Sequence, residues 1–108
     1  MSTNYITDNP VSLSKILEES KLIKIHDPID WSENDYQWFN DNGNKIITDG
    51  KNYLWLGFYI NTDLISVITR YNSNNPDPML EEIARIGKTE IYSEHDDEYQ
   101  EMQIREIH

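Results

Sequence analysis

Apolar residues recur with a helical period near the start of the chain. Leu13, Ile16 and Leu17 fall on one face, and Lys15, Glu18 and Glu19 on the other, which predicts a helix over about residues 12–21 with Ser12 or the Asn9-Pro10 pair at its start. Residues 22–25 read as its last turn or as a short strand, and Pro28 stops any continuation. In 31–39, Ser32 followed by Asp35 resembles a capping box, Tyr36 and Phe39 share a face, and Gly43 is placed for a left-handed stop, so a second short helix is expected.

The period becomes extended at Lys45. A β-branched run to Thr48, the turn pair Asp49-Gly50, an aromatic-rich run over 52–60, a polar turn at 61–63 and a further run over 64–71 predict a three-stranded antiparallel meander. In its middle strand Leu54, Leu56, Phe58 and Ile60 make the expected core row, with Tyr53, Trp55, Gly57 and Tyr59 facing the other way. After the turn-forming stretch 72–78, Asp77 is the expected cap of a third helix with Pro78 in its first turn. Leu80, Ile83 and Ala84 form its apolar stripe, flanked by Met79 and Ile86, and Gly87 is the expected stop. Residues 89–92 predict a fourth strand.

This order of elements, without an internal repeat, describes an α+β domain: a small antiparallel sheet of a meander plus a fourth strand, with two to three helices packed on one face. The polar, aperiodic residues 1–9 read as a flexible N-terminal arm and 10–108 as a single domain, since 108 residues can close one core but not two.

Composition narrows the functional classes. The chain has no cysteine, which excludes disulfides, thiolate metal sites and cysteine nucleophiles. Twenty acidic against nine basic side chains give a net charge of −11, which repels phosphate backbones and anionic lipid and favours a basic protein partner. No apolar run is long enough for a membrane span and no secretion signal begins the chain, so a cytoplasmic location is expected.

Candidate chemistry is sparse. Gly87-Lys88-Thr89 resembles the end of a phosphate loop, but Glu82 stands where the motif needs its first glycine. Pro76-Asp77 has no following acid-x-Lys, and no Gly-x-Ser-x-Gly turn exists. His95 and Asp96, with His26, are the only basis for a small metal-dependent hydrolase, and the expectation is of no enzyme, no metal and no cofactor. The aromatic row and the acidic tract carry more. Trp55, Tyr92 and Tyr99, with Glu94, Asp96, Asp97, Glu98 and Glu101, are the candidate partner-binding residues, rings supplying contact energy and carboxylates steering a basic surface. Size, charge and lack of catalytic motifs give the chain the general character of immunity proteins and antitoxins, which occlude a basic effector such as a toxin nuclease. The alternatives are a phage-encoded inhibitor of host defence that imitates nucleic acid, the small metal-dependent hydrolase centred on His95, Asp96 and His26, or a homodimer that buries its own aromatic face; a monomer and a homodimer are both compatible with the sequence.

Overall fold

The computed structural model describes residues 3–27, 31–35, 37, 43–71 and 75–94. They form an antiparallel sheet of seven short strands with two helices on one face: β1 (Asn4–Thr7), β2 (Val11–Ser12), α1 (Leu13–Glu19), β3 (Lys24–His26), β4 (Lys45–Thr48), β5 (Tyr53–Phe58), β6 (Leu64–Tyr71), α2 (Asp77–Gly87) and β7 (Ile91–Ser93). The order across the sheet is β3-β4-β5-β6-β1-β7, and β2 also pairs with β6. The expected α+β architecture is present. β4, β5 and β6 are the meander, while residues 33–35 and 37 are helical with Ser32 Oγ accepting from the Asp35 amide at 3.2 Å. Tyr36 and Phe39, the expected apolar pair of that second helix, lie outside the described residues.

The N-terminal residues depart from expectation. Residues 4–7 are not an arm but a strand between β6 and β7, with Tyr5 opposite both Ile68 and Ser93. The Arg70 amide donates to Thr3 O and the Glu94 amide to Asn4 O, both at 2.9 Å, so β1 is hydrogen-bonded on both sides. Four residues, Asn4-Tyr5-Ile6-Thr7, are too few to carry a period that reveals such a strand; its stabilising partners lie more than sixty residues away in sequence. Pro10, without an amide hydrogen, ends this run, and the chain re-pairs with β6 one step later as β2.

α1 starts where the sequence predicts. The Ser12 hydroxyl accepts from the Lys15 amide, and Ser12 Oγ itself donates to Asp63 Oδ2 at 2.5 Å. Asp63, in the β5–β6 turn, also accepts from the Ser14 amide at 3.2 Å, so a residue fifty positions away completes the cap. Leu13 and Ile16 are buried, whereas Leu17 is 37% exposed. Ser20 closes the helix and its hydroxyl accepts from the Leu22 and Ile23 amides, turning the chain into β3.

α2 begins one residue earlier than expected. Pro76 is the N-cap, and Asp77 is the first helical residue, its amide donating to Asn75 Oδ1. Met79, Leu80, Ile83 and Ile86 are buried and join Ile16, Ile47, Leu54, Leu56, Ile65 and Ile68 in one core cluster. Its end corrects the sequence reading of Gly87. Gly87 is helical, and the left-handed residue is Lys88, at φ 50° and ψ 50°. A Cβ on Gly87 would lie 2.5 Å from Val11 Cγ2, and Val11 is itself 1% exposed in the core. Gly87 is there to let the helix approach β2, and the strained cap falls on its neighbour.

In β5 the predicted core row is correct for Leu54 and Leu56, while Phe58 is half-buried against the core. Ile60 is 88% exposed, in the turn beyond the strand. The register passes from Gly57↔Val67 to Phe58↔Ile65, skipping Ser66, and this bulge keeps Ile65 on the core face.

Two stability predictions follow from the helix ends. Gly87→Ala should lower the unfolding free energy by about 2 kcal/mol through overpacking against Val11, and Lys88→Gly should raise it by up to about 1 kcal/mol by relieving the left-handed conformation, both read from urea midpoints. The hydrogen bonds from Ser12 and Ser14 hold the Asp63 carboxyl below the usual carboxylate range. A folded-state pKa below the unfolded value of about 3.9 stabilises the fold above that pH and loses this contribution as pH falls through the folded value. Asp63→Asn should therefore lower stability at neutral pH and flatten the acid limb of the stability profile below about pH 4.

Candidate functional site: the aromatic face of the sheet

Register decides which side chains share the face away from the two helices. Trp55 is opposite Ile46 on β4 and Thr69 on β6; Tyr53 is opposite Thr48 and Tyr71; Ile46 is opposite His26 on β3. Alternation then carries the same face across β1 to Asn4 and Ile6, and Ile6 is opposite Tyr92 on β7. Trp55 and Tyr92 thus lie on one face, three strands apart, roughly 14 Å across the sheet.

The rings near Trp55 touch in sequence. The His26 imidazole meets Tyr53 edge-on at a centroid distance of 4.8 Å, Tyr53 meets Tyr71 at 6.5 Å, Tyr71 meets Trp55 at 6.3 Å, and Trp55 meets Trp31 at 6.1 Å. All four distances lie in or near the range where aromatic quadrupoles attract. Ile46, 1% exposed but outside the main core cluster, forms the floor beneath them between Trp55 and His26. The ring cluster is therefore half-buried: Trp31, just before the helical residues 33–35, packs over Trp55 from outside the sheet.

Of the residues expected to bind a partner, Trp55 and Tyr92 are on this face. The Tyr92 phenol donates to the Glu90 carboxylate. Glu94 lies directly after the edge strand β7, tied by its amide to Asn4 O. Asp96, Asp97, Glu98, Tyr99 and Glu101 lie outside the described residues, as does His95. Tyr59, expected in the aromatic row, sits past the end of β5 and is 51% exposed. His26 and Tyr71 belong to the ring cluster although sequence reasoning left them out of it. Tyr71 could have been found by extending the alternation of β6 through Val67 and Thr69; His26 could not, because the pairing of β3 with β4 spans an eighteen-residue connection that no local pattern encodes.

Among the described residues no three of His, Asp and Glu converge as a metal-binding group, and no helix is long and apolar enough to cross a membrane. No family model, curated protein or solved structure matches the chain.

Packing of Trp31 on Trp55 should be measurable as a coupling. A double-mutant cycle with Trp31→Ala and Trp55→Ala, followed by urea unfolding, is expected to give an interaction energy of about 1 kcal/mol; additive effects would show that the two rings do not support each other.

Proposed function

We propose that this chain is a small acidic inhibitor of the immunity or antitoxin type, acting in the cytoplasm by occluding a basic effector surface such as that of a toxin nuclease. One observation carries the reading. Trp55 and Tyr92 share a sheet face, and Glu94, with which the acidic tract of the sequence opens, directly follows the strand that carries Tyr92. Rings of this type concentrate binding energy when a partner desolvates them, and a run of carboxylates raises the rate of encounter with a positive surface in a salt-dependent way. The work needs no bond-breaking chemistry: inhibition follows from covering the effector's own site.

The test uses the tagged full chain in cells that naturally carry it, alongside Trp55→Ala/Tyr92→Ala and Asp96→Asn/Asp97→Asn/Glu98→Gln variants. The expected result is a stoichiometric basic partner retained at low salt and released at high salt, whose activity the purified chain blocks. The ring variant should lose binding by about tenfold or more, and the charge variant should bind more slowly with a weaker salt dependence. A partner whose affinity none of these substitutions changes would sink the reading. Displacement of the chain by duplex DNA would reassign it to nucleic-acid mimicry.

A further inference from the structure

On the opposite, helix-bearing side of the sheet a second feature is independent of the ring cluster. α2 buries Met79, Ile83 and Ile86 over the centre of the sheet, and its flank at Asp77, Leu80, Glu81 and Ala84, spaced i, i+3, i+4 and i+7, faces the margin formed by β1 and β7. Tyr5 on β1 and Ile91 on β7 are only half-buried there. Between flank and margin lies a cleft of about 310 Å³, room for one long side chain and too little for a folded element. Its floor is apolar, made by Tyr5, Leu80, Ala84 and Ile91, and its rim carries the exposed carboxylates of Asp77 and Glu81 one helical turn apart.

We propose that this cleft receives an arginine side chain from the basic partner, a deepening that rests on the inhibitor reading above. An apolar floor suits the methylene stem, the Tyr5 ring suits a stacked cation, and two carboxylates a turn apart suit the planar fork of a guanidinium, which can bond to both where an ammonium acts as a point charge. Burial pushes the Tyr5 phenol above its usual range; Arg70 pulls it down, and Asp77 and Glu94 push it up, so of the two rim carboxylates Asp77 acts on the ring that would face the guest. A second copy of the chain is the poorer occupant, because it would bring a further charge of −11 to an acidic rim.

The experiment is an amide-resolved NMR titration of the isolated full chain at low ionic strength with a blocked tetra-arginine peptide, and with the tetra-citrulline peptide as neutral control. Saturable shifts centred on Tyr5, Ala84 and Ile91 are expected. Asp77→Asn/Glu81→Gln should weaken arginine binding by about tenfold while leaving the remaining spectrum in place. Glu18→Gln/Glu33→Gln, which removes two exposed charges elsewhere, should change it by no more than about twofold. Equal weakening by both variants overturns the cleft as a site. Saturable shifts centred on Trp55 and Tyr92 instead also overturn it, but leave the basic-partner reading standing. Arginine binding no tighter than that of the citrulline peptide overturns both.

Discussion

The sheet depends on β1 being hydrogen-bonded on both sides. β6 and β7 are not neighbours, and each pairs with β1 across opposite edges, so residues 4–7 connect the meander to the last strand. A four-residue strand has little intrinsic tendency to persist; it is held because buried backbone donors and acceptors on both flanking strands would otherwise lose their partners. The position of Tyr92 on the ring-bearing face, of Glu94 at the sheet margin and of Tyr5 in the cleft all follow from that insertion. The bonds from Asp8 to Glu90 and from Asn9 to Thr89 extend the same attachment past the strand.

Two faces of one sheet then acquire different roles through the period of two. Leu54, Leu56, Ile47 and Ile68 meet α1 and α2 and make the core, while their immediate neighbours Trp55, Tyr53, Ile46 and Thr69 turn away from it. Ile46 and Ile47 are both buried, although they point in opposite directions, which is possible only if something covers each face. On one side the cover is helical. On the other it is a layer of rings reaching from His26 to Trp31, and half-buried aromatic groups of this kind supply both stability and a contact surface.

Legibility in the sequence tracked how local the cause was. The meander, the Ser12 and Ser32 caps and the apolar stripe of α2 were readable because residues within four positions of one another produce them. Gly87 was read as a helix stop because glycine most often serves there, yet the close approach of Val11 explains it, a contact across seventy-six positions that no spacing rule reports. Asp77 was read as a cap for a similar reason: its residue type fits, but Pro76 and Asn75 take that place in three dimensions. For the candidate site, alternation along the middle strand puts Trp55 on the face away from the core row, and the fact that Tyr92 shares that face needed the strand order.

By itself, the sequence determined the α+β class, the meander and its core row through Leu56, the absence of cysteine chemistry and the strong negative charge, because periodicity and composition act over short distances or none. Tertiary structure alone decided that residues 4–7 become a strand paired on both sides, that His26 joins the tryptophans, and that a cleft opens beside α2. Each of these depends on which distant strands exchange backbone hydrogen bonds. A peptide donor is chemically the same at every residue, so its choice of partner is settled by the packing of the whole chain.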